Sequence, residues 1–249
     1  MELIDAKNAT AEELESWFSR FAAQDLLLQS PEAFGTVYAD PPWRFTNRTG
    51  KMAPEHKRLH RYPTMSFAEI GELPVARIAK AQSHLYLWVP NALVAEGLEV
   101  MRRWGFTYKS NIVWYKIRKD GGPDRRGVGF YFRNVTELCL FGTRGKNNRT
   151  RTRGRTQPNI VLSQKTMHSR KPAEMYDIIE DCSYGPYIEL FSRTERRGWT
   201  MWGNQAGLLD HEDDAHRYGD RPFGDEAERQ NQLRLFESLK KLRDAVGSP

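Results

Sequence analysis

The run V-Y-A-D-P-P-W at Val37–Trp43 sets an acid, two prolines and an indole at the end of an apolar stretch. A carboxylate at the carboxyl end of a strand projects into the crevice where parallel α/β sheets bind ligands. Pro41 and Pro42 fix φ and carry no N–H, so this backbone offers only carbonyl acceptors. A carboxylate, rigid carbonyls and the flat face of Trp43 suit one task, gripping a planar ring that bears an exocyclic amine. Adenine is such a ring, and its N6 lone pair is delocalised and weakly nucleophilic. If Asp40 and the Pro41 carbonyl each accept an N6 proton, the nitrogen moves toward tetrahedral geometry and can attack a methyl electrophile. The groups act by orientation and by stabilising positive charge as it grows on nitrogen. Trp43 is expected to stack on the base once it has left its neighbours. The competing reading is a Pro-Pro turn closing a strand, with Trp43 as core filler.

Such residues need a rigid scaffold. The 249 residues, 39% hydrophobic and 28% charged, have an ordinary globular composition and suffice for one α/β domain with an appendage. Thr10 and Glu13 form a T-x-x-E signal opening a helix to Leu28, with Leu14, Trp17, Phe18 and Phe21 on one face. Phe34–Ala39 is a short strand. Ser66 and Glu69 suggest a second capping box before Pro74. S-H-L-Y-L-W-V-P reads as a buried strand, and Asn91 as the cap of a helix carrying Leu93, Val94, Leu98 and Met101 that Gly105 stops. S-N-I-V-W-Y-K-I and V-T-E-L-C-L-F-G are further strands. Ser169 should cap a helix with Pro172 in its first turn and Met175, Ile178, Ile179 and Cys182 on its apolar face. Y-I-E-L-F-S-R and W-T-M-W-G-N-Q are the last strand candidates. Alternating strands and helices predict an α/β fold, a mainly parallel sheet with helices on both faces. The expected organisation is a helical segment over 1–30, a catalytic domain over 31–206, and an acidic linker with an amphipathic helix over 207–249.

Charge is unevenly distributed. The formal net charge is +6, yet no acid occurs from Leu138 to Ala173, where Arg144, Lys146, Arg149, Arg151 and Arg153 fall. One-sided charge of this kind is a footprint for a polyanion, most simply nucleic acid. Three basic loops are expected to form one binding groove: Arg44, Arg48, Lys51 and Tyr62 in the first, Arg125, Arg126, Arg133 and Asn134 in the second, and residues 144–155 in the third. Cys139 and Cys182 have no paired spacing and the histidines are scattered, which predicts neither disulfide nor metal centre. No apolar run approaches the ~20 residues of a membrane span and the N-terminus lacks a leader pattern, so a cytoplasmic protein is expected.

The order of motifs resembles the MT-A70 family of S-adenosylmethionine-dependent adenine-N6 methyltransferases, over roughly Phe34 to Gln205. A-D-P-P-W is similar to that family's catalytic motif, and Y-P-T-M-S, L-Y-L-W-V, I-V-W-Y-K, F-R-N-V-T-E-L-C-L-F-G, H-S-R-K-P and I-E-L-F-S-R with G-N-Q follow in the family's order. The resemblance implies a Rossmann-like class I methyltransferase fold with S-adenosylmethionine as cofactor. By matching positions it implies that Lys171 meets the cofactor carboxylate, that Arg193, Asn204 and Gln205 hold its ribose hydroxyls, and that Asp40 touches both cofactor amine and target N6. Glu195 stands where eukaryotic members continue differently, and is a candidate acceptor for ribose. Asp25 is the nearest candidate for an adenine-binding acid. Lys171 in a helix first turn would also favour an anion, unless it is a surface lysine. Glu137 partners the D-P-P-W loop or its base, or else is a satisfied strand acid.

The expected function is methyl transfer to the exocyclic amine of a flipped adenine in DNA. RNA is the alternative substrate, and a catalytically silent nucleic-acid-binding subunit is the alternative of another class. The amphipathic final helix and the family's pairing habit suggest a homodimer.

Overall fold

The computed structural model describes residues 10–44, 64–124, 131–164, 171–192 and 195–203. Helix α1, Ala11–Leu28, starts at the expected capping box: the Glu13 amide donates to Thr10 Oγ1 and the Thr10 amide donates back to the Glu13 carboxylate. Strand β1, Phe34–Ala39, is buried throughout. Ser66 and Glu69 cap α2, Phe67–Glu72, and a single helical turn, α3, Val75–Ile78, leads into β2, Ala79–Val89. Then come α4, Val94–Arg103; β3, Thr107–Ile117; β4, Thr136–Arg144; β5, Ile160–Gln164; α5, Glu174–Cys182; β6, Tyr187–Leu190; and β7, Trp199–Trp202. No described helix is long and apolar enough to cross a membrane.

The seven strands form one sheet in the order β5-β3-β4-β2-β1-β6-β7. β4 runs antiparallel to both neighbours, β2 and β3, and every other pairing is parallel. The fold is thus a mainly parallel, Rossmann-like α/β sheet with one reversed strand. Strand periodicity sorts side chains onto two faces. Val37, Ala39, Leu85, Leu87, Val89, Leu140, Ile188 and Leu190 enter one core, with Ile70, Val100 and Met101 of α2 and α4. Tyr38, Tyr86, Trp88, Ile112, Trp114 and Cys139 enter the other, with Met175 and Ile179 of α5.

Three expectations are corrected. Asn91 does not cap α4; it opens a short 3₁₀ turn and its amide donates to Thr136 O (3.0 Å) and Oγ1 (3.3 Å) at the start of β4. α5 begins at Glu174, so Lys171 and Pro172 precede it, and Ser169 lies outside the described residues. Strand β5 was not expected, its short exposed pattern lying inside the basic window. The final helix and linker, 207–249, lie outside the described residues.

Candidate active site

Asp40 follows β1 where the parallel strands end, and its amide still donates to Leu190 O of β6 (3.5 Å). The loop behind it is fixed by its own backbone. Pro41 O accepts the Trp43 amide (2.9 Å), and Pro42 O accepts the Met65 amide (2.8 Å). Neither carbonyl is unengaged, contrary to the sequence reading, but each keeps a second lone pair. Trp43 is also corrected. It is 6% exposed, sits in the first core and donates its indole N–H to Trp88 O (2.9 Å). A ring so enclosed anchors the loop and does not offer an open stacking face.

Trp88 is the hub below the loop. Its carbonyl holds Trp43, and its indole N–H donates to Tyr38 Oη (2.7 Å). The Lys171 ammonium lies 5.2 Å from its ring centroid. That ammonium bridges two acids, Asp40 Oδ2 at 2.8 Å and Glu137 Oε2 at 3.3 Å. Lys116 of β3 pairs with the other Glu137 oxygen and lies 4.8 Å from the Trp114 ring centroid. By strand alternation Lys116, Glu137, Asp40 and Glu189 all point from the face that α5 covers. The result is a row of alternating charge along the carboxyl edge, set over tryptophan rings.

Burial pushes the Glu137 carboxyl up, but Lys171 and Lys116 outweigh it and hold it below the ordinary carboxylate range. Burial likewise disfavours the Lys171 charge, and Asp40 with Glu137 more than compensate, raising its proton affinity above that of an ordinary lysine. Glu189 behaves differently. Burial first, and then the Asp40 charge, push its carboxyl up to about 7 against the help of Tyr176, whose hydroxyl donates to it at 2.7 Å. The sequence reading assigned a role to neither Lys116 nor Glu189. A charged residue interrupting an otherwise apolar strand, as in I-V-W-Y-K-I and Y-I-E-L-F, was the available signal.

The remaining candidates separate. Asp25 ties α1 to β7: Trp202 Nε1 donates to one carboxylate oxygen (2.8 Å) and Gln29 to the other (2.8 Å). Glu195 is exposed beyond β6. Arg44 reaches Thr64 O (3.2 Å) and lies 3.8 Å from Glu69, bracing the D-P-P-W loop. Arg133 is exposed and Asn134 half-buried on the lead-in to β4, at the carboxyl edge. Arg48, Lys51, Tyr62, Arg125, Arg126, Arg193, Asn204 and Gln205 lie outside the described residues.

The third basic loop is the largest correction. Arg144 ends β4, seven residues beyond Glu137, which at ~3.4 Å per residue is about 24 Å away on the opposite edge of the sheet. Arg144 itself is structural, donating to Ala76 O and Ala79 O. Lys146, Arg149, Arg151 and Arg153 follow it along that far edge. They do not join Asp40 in one groove, because β4 runs against its neighbours and delivers its exit to the amino end of the sheet.

A carboxylate held beside rigid carbonyls and a half-buried lysine can orient an amine and stabilise positive charge developing on it. The comparisons agree. A family profile described as MT-A70 matches residues 34–205. A putative N(6)-adenosine-methyltransferase MT-A70-like protein of Medicago truncatula is 33% identical over 178 residues, covering 69% of this chain and 26% of the relative. The N(6)-adenosine-methyltransferase subunit METTL3 of Danio rerio is 31% identical over 186 residues, covering 72% and 30%. The type II methyltransferase M.MunI of a Mycoplasma species is 27% identical over 189 residues, covering 68% and 76%. The chain therefore spans only about a quarter to a third of the N(6)-adenosine relatives it matches. With the profile covering well over half of its length and ending where the sheet ends, this chain belongs to the MT-A70 family.

Proposed function

We propose that this protein is an adenine-N6 methyltransferase that acts on DNA. The observation carrying the reading is the Lys171 bridge: it fixes Asp40, at the mouth of the parallel strands, next to the Pro41 carbonyl. The donor set suits S-adenosylmethionine. Asp40 and Glu189 supply two acids on one face for a cationic amino-acid headgroup, and Lys171 spends two of its three N–H donors on protein acids, leaving one for a ligand carboxylate. Arg193, Asn204 and Gln205 are proposed for ribose hydroxyls, as the family resemblance implies. When bound, the cofactor supplies the electrophilic methyl group.

The chain's own residues then do three things. Asp40 and the second lone pair of Pro41 O accept hydrogen bonds from the two N6–H groups of adenine and turn the nitrogen lone pair toward the methyl group, and Asp40 takes the one N6 proton that must leave once the N–C bond has formed. Lys171 keeps Asp40 in one orientation, so little reorganisation accompanies charge development. Trp43 and Trp88 hold the loop rigid from below. Incubation with labelled S-adenosylmethionine and DNA, followed by nucleoside analysis, should yield N6-methyladenine. Absence of that product with DNA, RNA and single strands alike would sink the proposal. RNA is the second reading, favoured by relatives named N(6)-adenosine-methyltransferases. Rates on matched DNA and RNA strands separate the two.

A further inference from the structure

The far edge of the sheet carries a built, strongly cationic surface that the methyl-transfer site does not use. The loop from Arg144 is pinned at several points: Asn148 donates to Ser83 O (2.9 Å) and Arg144 O (3.0 Å), and Arg151 donates to Cys182 O through its amide (2.8 Å) and to Glu180 O through its guanidinium (2.9 Å). Gly154 packs so closely on Cys182 that a Cβ there would collide with it. A pinned backbone fixes the positions from which the outward side chains project. The local acids are already matched, Asp181 by Arg153 (3.4 Å), and Glu180 and Asp177 by Arg196 (3.2 and 3.4 Å). Lys146, Arg149, Arg155 and Arg197 are exposed, and among the described residues none has a carboxylate partner. Arg197 lines a cavity of about 400 Å³ together with Arg151, Arg153, Trp199 and the two matched acids Glu180 and Asp181. Beside it Tyr184 is 61% exposed, with the Arg151 guanidinium 5.3 Å from its ring centroid.

We propose that this amino edge is a second nucleic-acid contact surface, gripping the backbone of the same molecule whose adenine enters the carboxyl edge. The inference rests on the methyltransferase reading for the identity of its partner. Unmatched arginines and lysine projecting from fixed positions suit phosphates and not bases, so the surface supplies affinity without sequence preference. The separation sets a length requirement: about 24 Å at 3.4 Å per base pair means the target must lie about 7 base pairs or more from the bound flank.

The test compares a mixed-sequence DNA duplex of about 40 base pairs with a short hairpin stem of about 5 base pairs, one able and one unable to reach both edges, since about 5 steps of 3.4 Å span only about 17 Å. Salt dependence of binding is measured for the wild type and for the combined variant Lys146→Ala, Arg149→Ala, Arg155→Ala, Arg197→Ala. On the long duplex the variant should lower the slope of log affinity against log salt by about 3 to 4, at ~0.9 per phosphate contact. The affinity lost between 50 and 200 mM salt should then shrink by roughly 10²-fold. On the short stem, which can occupy only one edge at a time, the slope should fall by less. A charge-preserving variant, Lys146→Arg with Arg149→Lys, Arg155→Lys and Arg197→Lys, should keep the wild-type slope. An unchanged long-duplex slope, equal losses on both lengths, or an equal loss in the charge-preserving variant would each overturn the proposal. Calorimetric titration of the wild type with S-adenosylmethionine is read separately: failure there undoes the methyltransferase reading and leaves the slope comparison standing.

Discussion

Lys171 gathers three parts of the chain around one ammonium: the loop after β1, the start of β4 and the ring of Trp88. Replacing Asp40 removes one of the two acids on that ammonium and, in the proposed reaction, an acceptor for the substrate amine. Asp40→Asn, similar in shape, should retain the fold by circular dichroism while turnover falls roughly 10²-fold or more. Lys116 acts through Glu137 and is a positioning residue. Its loss removes one of the two cations that hold the Glu137 carboxyl down. Lys116→Met should therefore move the acidic limb of the pH–rate profile upward, and Lys116→Arg should restore it. A uniform loss of rate with the limb unmoved would refute that role. Glu189 has the opposite sense. Its folded carboxyl titrates near 7 against an ordinary 4.5, so the folded state holds the extra proton between those values. Stability is lost as pH rises through that window and the cost is fully present above it. Glu189→Gln should gain up to about 3 kcal/mol on the wild type between pH 4 and pH 8. Melting temperatures of the two proteins across that range check it. Asp40 was legible from sequence because its neighbours in the chain announce it. Lys116 and Glu189 were not, since their partners arrive from other strands.

Elements carry the site by close approach. On α4, Gly97 faces Val89, the last residue of β2, and a Cβ there would lie 2.5 Å from Val89 Cγ2. Gly97→Ala should cost ~1–3 kcal/mol in urea unfolding through overpacking, and adding Val89→Ala should recover part of that loss. Local signals set the element list. Both capping boxes, the positive φ of Gly105 and the alternation of Leu85, Leu87 and Val89 against Tyr86 and Trp88 are visible in the sequence. Strand β5 was missed because its apolar run, Ile160–Leu162, is only three residues long and shows no alternation, as suits a short strand at the sheet edge. Asn91 looked like a cap because the residue type favours caps, yet its amide found β4 instead.

At the scale of the whole molecule, charge is sorted onto two edges. Acids and lysines alternate at the carboxyl edge, while the far edge is dominated by arginine. Composition revealed the excess of positive charge but not its address, which depends on the direction of a single strand. β4 begins beside Glu137 and ends at Arg144, paired to β3 at its start, to β2 at its end and to both between, with one irregularity opposite Tyr108–Ser110. That rod keeps the two edges apart. Recharging the exposed positions among residues 145–159 should therefore leave the atoms around Asp40 in place, so a chain built this way can alter how it holds a polymer while leaving the bond-making step untouched.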